Sequence, residues 1–414
     1  MTPLLLNQIK RSLCFCSLFL AFAVAVPCLA DKAPSIEEIL KQPGPFHPRV
    51  TWRGDASTTA IISWSTSSLS EDNWVQLTTT SSDQQIKTLT SRDAKFTGNR
   101  EIYFHHARVT DLQPDTLYQV QMQSGDHKSE WFNFKTAPKK DRPLSFLFGG
   151  DSRSDSSARR EVNRMLASML SKSLTNDSLE DDILCLCHGG DYVATGTNLD
   201  QWIIWLTDHE ETITDSKQLL PVVAARGNHD RGPLFNEIFD FPVDDKNYYN
   251  TDFGPEVRMI TLNTETSTAG DQAKWLGSQL KSARSDYRFV LTQYHKPAYP
   301  AVKGPSGALK SWVPLFEKYN IDLACEADGH NIKRTVPIRD GKIDPTGIVY
   351  IGEGGLGVPQ RTPKTDRWFL QAPGMADKGH NVQLLTLNQK ELQYRCVLLG
   401  GEIRDTYIQP VRTK

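Results

Sequence analysis

The sequence predicts an all-β sandwich followed by an α/β domain with mixed sheets flanked by helices. Residues 47–137 form short alternating runs rich in Thr, Val, Trp and Tyr, separated by turns of Gly, Asp, Ser and Pro, which is typical of a sandwich. From Leu144 onward, apolar strand-like runs alternate with helix-like segments, the pattern of an α/β fold. Two later runs, 347–355 and 381–399, indicate antiparallel strands, so the predicted sheets are mixed.

Residues 1–30 have the composition of a secretory signal. Lys10 and Arg11 precede an apolar run, 13–26, and a short segment that ends at Ala30, which is the order of regions in a cleaved signal peptide. The apolar run is short for a transmembrane helix, although an uncleaved anchor helix is the alternative. We therefore expect a secreted or periplasmic protein whose mature chain has no membrane span.

Composition excludes several other classes of protein. The 414 residues carry a formal net charge of -2, with 38% hydrophobic and 23% charged residues. This is an ordinary globular composition, and it lacks the basic field that nucleic-acid binding requires. The cysteines that would remain after cleavage are too few for a disulfide-rich scaffold. Cys185, Cys187 and Cys325 lie in apolar runs, which predicts buried thiols rather than a metal or redox pair.

Five strand-like runs in the second half end in residues that can bind a metal ion. In chain order these are Asp151, Asp191, the pair Asn228 and His229, His295, and the pair Asp328 and His330. The carboxyl ends of strands in α/β sheets collect ligands at one edge, so we expect the side chains to converge. Carboxylate, imidazole and amide groups without thiolate favour Zn, Mn, Fe or Mg.

Taken alone, the segment Asp328-Gly329-His330 would indicate an ordinary turn with a surface histidine. Because four other runs end in similar residues, it more plausibly supplies the last two ligands of a metal centre. Two ions about 4 Å apart that share a carboxylate can clamp an in-line displacement at phosphorus. The sequence therefore predicts a centre suited to phosphate ester chemistry.

These runs resemble the ordered motifs of calcineurin-like metallophosphoesterases. The matching segments are GGDSRSD (149–155), GGDYVATG (189–196), ARGNHD (225–230), QYHKPAYP (293–300) and ADGHNIKRT (327–335). The first half is similar to the N-terminal domain of the purple acid phosphatase branch, in the segments TWRGDASTTAIISW, HHARVTDLQPDTLYQVQM and FNFKTAP. The resemblance spans nearly all of the mature chain, including the closing segment GIVYIGEGGLG (347–357).

The resemblance implies a domain organisation. A signal peptide, 1–30, would precede a fibronectin type III-like domain, 31–141, and a metallophosphoesterase domain, 142–414. The segment LQPDTLY (112–118) resembles the signature of fibronectin type III-like domains, and the polar, proline-bearing segment 136–143 is typical of a linker.

The resemblance also implies a role for individual residues. Asp151 corresponds to the aspartate of the first metal ion, and Asp191 corresponds to the aspartate that bridges both ions. Asn228 and His295 correspond to ligands of the second ion. His229 corresponds to the histidine that assists the phosphate or the leaving group.

The sequence departs from the family pattern in the first ion's surroundings. Arg153 stands where many relatives have histidine, and Ala194 stands where purple enzymes have the tyrosine that colours them through ferric iron. Waters or Tyr192 could complete this site. Arg153 could hold a phosphate oxygen, since a guanidinium matches phosphate geometry, or it could form a salt bridge to Asp155 or Glu161. Lys296, Arg334 and His188 are weaker candidates nearby.

The third departure concerns the family motif Gly-His-x-His-x-x-x-Arg-Thr, for which two alignments compete. If Gly329 and His330 match the first Gly-His, the last histidine becomes Ile332 and the first site loses a ligand. If the downstream Arg-Thr is the anchor, Asp328 replaces the first histidine and His330 is the second. We favour the second alignment because an aspartate is tolerated at a hard ion.

The predicted first site is then Asp151, Asp191 and His330, and the predicted second site is Asp191, Asn228, His295 and Asp328. The resemblance implies a phosphatase that hydrolyses phosphomonoesters through a metal-bound hydroxide at this dinuclear site. His229, oriented by Asp230, would stabilise the phosphoryl oxygen or protonate the leaving group. The alternatives are a phosphodiesterase or nucleotidase of the same fold, and a degenerate binding protein without catalysis.

Overall fold

The computed structural model describes residues 34–42, 44–79, 87–175 and 182–412. The predicted signal peptide, 1–30, lies outside these residues. Within the described ranges, no helix is both long enough and apolar enough to cross a membrane.

The helices and strands follow the order that the sequence predicts. The strands of the first half are β1 (Phe46–Thr51), β2 (Gly54–Asp55), β3 (Ala60–Thr66), β4 (Asn73–Thr79), β5 (Lys87–Thr90), β6 (Arg92–Lys95), β7 (Tyr103–Val109), β8 (Leu117–Ser124), β9 (His127–Lys128) and β10 (Phe132–Lys135). Those of the second half are β11 (Leu144–Gly149), β12 (Ile183–His188), β13 (Val222–Ala224), β14 (Tyr249–Phe253), β15 (Val257–Thr261), β16 (Phe289–Tyr294), β17 (Leu323–Glu326), β18 (Ile332–Arg334), β19 (Ile338–Arg339), β20 (Lys342–Ile343), β21 (Val349–Gly352), β22 (Met375–Asp377), β23 (Asn381–Leu387), β24 (Glu391–Leu398) and β25 (Ile403–Pro410). The helices are α1 (Ile36–Ile39), α2 (Ser156–Thr175), α3 (Leu199–His209), α4 (Leu234–Ile238), α5 (Asp271–Asp286), α6 (Ala308–Ser311) and α7 (Val313–Lys318), with short 3-10 helices at Glu210–Thr212 and Trp368–Leu370.

The first half is the predicted β-sandwich. One of its layers contains β1, β3, β7 and β6, and the other has the order β10-β8-β4-β5. In β8, residues alternate between buried and partly exposed positions, as expected for a strand with one face in a core. Trp64, Val75, Met122 and Phe134 are fully buried in that core.

One layer of the sandwich continues into the second half. Strand β1 pairs in parallel with β13 through Thr51 and Val222, which gives a 10-stranded sheet with the order β25-β24-β23-β11-β12-β13-β1-β3-β7-β6. Trp52 is fully buried and lies edge-on to Phe253, with ring centroids 6.1 Å apart. The predicted domains, 31–141 and 142–414, therefore share one sheet and one apolar core.

The second half has mixed sheets with helices on their outer faces, as predicted. In strand β11, Phe146 and Phe148 face the core between the sheets, whereas Leu147 packs with residues of α2. In strand β16, Leu291 faces the same core and Val290 packs with residues of α5 and α7. The second sheet has the order β2-β14-β15-β16-β17-β21-β18-β22. Strands β11, β12 and β13 are parallel, and so are β15, β16, β17 and β21.

The four cysteines of the described chain are buried and free, and all four belong to the same apolar core. They include Cys185, Cys187 and Cys325, so the prediction of buried thiols is confirmed for these three.

A fragment of residues 142–414 expressed alone is expected to aggregate. Removing β1 would expose the edge of β13 and the apolar surface of Phe253 that packs on Trp52, and unpaired strand edges with apolar surface associate. Size-exclusion chromatography of this fragment, with residues 31–414 as the control, would measure the effect. A monomeric 142–414 fragment that unfolds cooperatively would contradict the expectation.

Candidate metal centre

The loops after the parallel strands bring the predicted ligands together. Asp151 follows β11, Asp191 follows β12, His295 follows β16 and Asp328 follows β17. One possible ligand atom from each of these four buried residues lies within 4.8 Å of the others. The predicted convergence of strand ends is therefore confirmed for these four.

The backbone at these strand ends is unusual. Asp151, Asp191, Asp328 and His330 have φ values of 59°, 61°, 69° and 59°, in the left-handed region that residues other than glycine rarely adopt. Such conformations cost on the order of 1–3 kcal/mol each and cluster at functional sites. A Cβ at Gly227 would lie 2.3 Å from Asp191 Oδ1, so only glycine allows this close approach. The strained turns direct the side chains toward one point.

Asp191 is the residue with the most contacts to other site residues. Its Oδ1 accepts a hydrogen bond of 2.9 Å from the main-chain N–H of His229 and lies 3.2 Å from His295 Nε2. Its Oδ2 accepts a hydrogen bond of 3.1 Å from Arg153 Nε. Burial alone would raise the pKa of Asp191, but the charge of His295 and the His229 N–H lower it well below its usual value. Asp191 is thus ionised, and its two oxygens contact different groups, Oδ1 on the His295 side and Oδ2 on the Arg153 side.

His295 presents its Nε2 to this cluster. Its Nδ1 donates a hydrogen bond of 2.9 Å to the carbonyl of Gly189, which fixes the ring and directs Nε2 at the cluster. The Nε2 lies 3.2 Å from Asp191 Oδ1 and 3.4 Å from Asp328 Oδ1. Burial lowers the pKa of His295, but the surrounding carboxylates outweigh this and raise it well above its usual value. The cluster therefore has an excess of negative charge.

Three buried atoms in this region lack a well-aligned hydrogen-bond partner among the described residues. They are His295 Nε2, Asn228 Oδ1 and Asp151 Oδ1. A buried polar atom without a partner costs about 1–3 kcal/mol, and these atom types are ligands of Zn, Mn, Fe and Mg. The donor set around Asp191 and His295 therefore fits a metal ion.

Asp328 lies on the His295 side of the centre. Its main-chain N–H donates a hydrogen bond of 2.7 Å to Asp151 Oδ2, and its Oδ1 lies 2.5 Å from Lys303 Nζ. Burial raises the pKa of Asp328, but His295 and Lys303 together lower it below its usual value. Lys303 lies in a loop with no recognisable motif, so its place beside Asp328 could not be predicted from the sequence.

His330 lies beside Asp151 and Arg153. Its Nε2 is 3.3 Å from Asp151 Oδ1, and its Nδ1 is 3.3 Å from the carbonyl of Pro359. Ile332, which the competing alignment would place at a ligand position, is fully buried in the apolar core. Asp328 therefore lies beside His295, and His330 lies beside Asp151, while the roles that the favoured alignment gives them stay a prediction.

The structure corrects the expected relation between His229 and Asp230. The Nδ1 of His229 donates a hydrogen bond of 2.7 Å to the carbonyl of Ala194. The carboxylate of Asp230 instead accepts hydrogen bonds from the main-chain N–H groups of Asp191, Tyr192 and Gly227. Burial and the neighbouring Asp191 raise the pKa of Asp230 to about 7. Asp230 therefore stabilises the turns beneath the site and does not orient the imidazole of His229.

The side chain of Arg153 pairs with neither Asp155 nor Glu161, contrary to one of the two expectations. Its Nε donates to Asp191 Oδ2 at 3.1 Å, and its Nη2 lies 3.5 Å from His330 Nε2. The guanidinium thus lies between two of the residues expected to hold the first ion. These residues do not fit a first ion in that position while the guanidinium is there.

Tyr192 does not complete the first site. Its hydroxyl donates a hydrogen bond of 3.4 Å to the carbonyl of His188, and its ring stacks on that of His188 with centroids 3.9 Å apart. It is fully buried beside Trp202 and Trp205. Burial raises the pKa of Tyr192 well above its usual value, so the phenol stays neutral and faces away from the cluster.

The three weaker candidates from the sequence, Lys296, Arg334 and His188, each contact a neighbouring side chain. Lys296 pairs with Glu265 at 2.8 Å, and Arg334 forms a two-pronged ion pair with Asp405. His188 lies behind the site, where its Nε2 is 2.9 Å from Ser152 Oγ.

Two family profiles match this chain. Residues 45–136 match the profile described as purple acid phosphatase, N-terminal domain. Residues 109–331, more than half of the chain, match the profile described as calcineurin-like phosphoesterase. The chain belongs to the calcineurin-like phosphoesterase family. Within this family it is a purple acid phosphatase-like phosphoesterase with an N-terminal β-domain.

Curated relatives of this phosphoesterase are distant in sequence. It is 26% identical over 350 residues to an uncharacterized protein of Mycobacterium tuberculosis, covering 75% of this chain and 63% of the relative. It is 25% identical over 304 residues to acid phosphatase type 7 of Homo sapiens, covering 63% of this chain and 66% of the relative. The chain thus spans less than two thirds of the length of these relatives.

Solved structures share the fold of this phosphoesterase. Purple acid phosphatase PPD1 from yellow lupin seeds superposes with a TM-score of 0.74 and 16% identity, covering 88% of this chain and 74% of the lupin chain. PhoD superposes with a TM-score of 0.63 and 11% identity, covering 90% of this chain and 93% of the PhoD chain.

Replacing Asp328 with alanine is expected to weaken metal binding by at least about tenfold, since even the loss of an outer partner of a ligand has an effect of this size. Calorimetric titration of the metal-free protein with Zn²⁺ or Mn²⁺ would measure the change. Asp126→Ala, at an exposed position in the sandwich, is the matched control. Unchanged affinity in Asp328→Ala would contradict the favoured alignment.

Proposed function

We propose that this chain is a secreted, metal-dependent phosphatase that hydrolyses phosphomonoesters. The observation that supports this most is a buried cluster of three carboxylates and an imidazole with cationic side chains at its edge. The cluster is Asp151, Asp191, Asp328 and His295. A bound divalent ion would polarise a phosphoryl oxygen and lower the pKa of a water molecule.

His229 is proposed to protonate the leaving group. The carbonyl of Ala194 holds the proton on Nδ1, so any second proton must reside on Nε2. The side chain is 34% exposed and its Nε2 lies 3.9 Å from Asp191 Oδ2, so this nitrogen faces the site and can reach a substrate oxygen. The proton on Nε2 would pass to the leaving alkoxide as the P–O bond breaks.

Arg153 is proposed to hold a phosphate oxygen. Asp191 accepts its Nε–H, and Ser154 Oγ accepts a hydrogen bond of 2.8 Å from Nη1. The guanidinium has five N–H groups, so these contacts leave others for the substrate. Because the side chain is anchored on both sides, its position is fixed before substrate binds.

The charge at the edge of the site favours phosphomonoesters over diesters. Arg153 and Lys303 lie beside the cluster, and the side chain of Lys303 is 38% exposed. A phosphomonoester carries up to two negative charges, whereas a diester carries one, so these cations attract the monoester more strongly. Phosphodiesterase or nucleotidase activity is the alternative enzymatic function.

Export is proposed from the sequence of residues 1–30, which has the basic, apolar and small-residue regions of a signal peptide in order.

The purified protein is expected to hydrolyse p-nitrophenyl phosphate at least about tenfold faster than bis(p-nitrophenyl) phosphate, because of the cationic edge. Activity should disappear after treatment with a chelator and return with Zn²⁺, Mn²⁺, Fe²⁺ or Mg²⁺. A metal-loaded protein that releases no nitrophenol from either ester would favour the non-catalytic binding protein. Faster hydrolysis of the diester would favour the phosphodiesterase.

The substitution His229→Asn is expected to slow hydrolysis of an alkyl phosphate by roughly 10²–10⁴-fold, the usual range for loss of a general acid. Hydrolysis of p-nitrophenyl phosphate should slow much less, because nitrophenolate leaves without a proton. His127→Asn, at an exposed position in the sandwich, is the control. Equal losses on both substrates would contradict the proton-transfer role.

A further inference from the structure

We propose that this centre holds a single metal ion and that the guanidinium of Arg153 occupies the position of the first ion. The inference deepens the proposed function, since it concerns the same site. It departs from the two ions that the family resemblance implies.

Arg153 is directed at the atoms that the first ion would need. Its Nε donates to Asp191 Oδ2 at 3.1 Å, and its Nη2 lies 3.5 Å from His330 Nε2. The Nδ1 of His330 faces the carbonyl of Pro359 at 3.3 Å, so Nε2 carries the lone pair. Two of the three expected ligands of the first ion therefore present their free electron pairs to the guanidinium.

The third expected ligand, Asp151, contacts both sides of the centre, since its Oδ1 lies 3.3 Å from His330 Nε2. Its Oδ2 accepts the Asp328 N–H at 2.7 Å. It also lies within the 4.8 Å group of ligand atoms formed with Asp191, His295 and Asp328. Asp151 can therefore serve the remaining ion, and a separate first ion would have to compete for it.

The two halves of the centre differ in chemistry. On one side, His295 Nε2 lies near Asp191 and Asp328 and is buried without a well-aligned partner, as expected for an atom that binds an ion. Asn228, a predicted ligand of the same ion, also has a buried Oδ1 without such a partner. On the other side, Arg153 supplies N–H donors to Asp191 and His330. Arginine has no acceptor atom and cannot lose its proton in a protein. It therefore cannot bind a metal ion, and its charge repels one nearby.

The guanidinium is held in place. Nη1 donates to Ser154 Oγ at 2.8 Å, and the side chain is 15% exposed. Tyr192, the other group that could have completed a first site, directs its hydroxyl to the carbonyl of His188. Of the three carboxylates in the cluster, Asp191 is paired with Arg153 and Asp328 with Lys303. One divalent ion then suffices to neutralise the remaining negative charge.

The stoichiometry of Mn²⁺ binding tests this inference without any substrate. The metal-free full-length protein would be loaded with excess Mn²⁺, desalted, and analysed by mass spectrometry for metal per chain and by electron paramagnetic resonance. The wild-type protein is expected to hold one Mn²⁺ with the six-line spectrum of an isolated ion. The substitution Arg153→His removes the fixed charge and adds a ligand, so this variant is expected to hold two Mn²⁺ with a spin-coupled spectrum.

Arg231→His is the matched control, because it places a new histidine at an exposed position next to Asn228 but not between Asp191 and His330. It is expected to hold one Mn²⁺. Two spin-coupled ions in the wild-type protein would overturn the inference, and this measurement stands even if a variant fails to fold. A folded Arg153→His protein with one ion would overturn the role of Arg153. A protein that binds one ion but hydrolyses no ester would refute the proposed function and leave this inference intact.

Discussion

The constraint on which the centre depends is the burial of three carboxylates at one edge of the sheets. Asp151 and Asp191 are completely buried and Asp328 is 3% exposed, and charges taken out of water are costly unless they are paired. The structure meets this constraint with cations and N–H donors. Arg153 pairs with Asp191, Lys303 pairs with Asp328, and main-chain N–H groups bond to Asp151 and Asp191. The negative charge that these contacts do not neutralise lies around His295, where it can attract a metal ion.

A second buried network fixes the loops that carry these groups. Lys333 is fully buried in β18 and pairs with Glu326 at the end of β17, and it lies 3.5 Å from Glu353 just beyond β21. Glu326 accepts the N–H of Ala298, and Glu353 accepts the N–H of Ala301. The loop after His295 and the turn that carries Asp328 are thereby tied to neighbouring strands. This rigidity maintains the left-handed backbone at Asp328, which would otherwise relax.

The sequence allowed prediction of the elements and of the residues that converge, because each ligand follows an apolar run and strand ends meet at one edge. It did not allow prediction of the partners of those residues. Asp230 follows His229 directly, which suggested that it orients the imidazole, but the tight turn at Gly227 directs Asp230 back toward the N–H groups of Asp191 and Tyr192. Such contacts depend on turn geometry, which residue types alone do not specify.

The sheet that the two halves share could not be predicted either, and the reason is different. The pairing of Thr51 with Val222 joins segments far apart in the sequence. Short sandwich strands have the same alternating sequence pattern whether their sheet ends with the sandwich or continues into another domain.

Lys303 and Arg361 could not be predicted because they reach the centre from loops without motifs. Arg361 donates its main-chain N–H to the carbonyl of His330 and its Nη1 to that of Asp328, so it supports the turn whose alignment was in question.

A guanidinium and a metal ion are not equivalent at a phosphate ester. Arginine can neutralise charge and orient oxygen atoms through its N–H groups, but it cannot lower the pKa of a water molecule by coordinating it. If Arg153 replaces the first ion, the nucleophile would be generated on the side of His295 and Asp328. Arg153 would neutralise charge and orient the phosphate oxygens. Asp191 connects these two functions through separate oxygens, since Oδ1 faces His295 and Oδ2 faces Arg153. The bridging carboxylate of the family would then bridge one ion and one fixed cation.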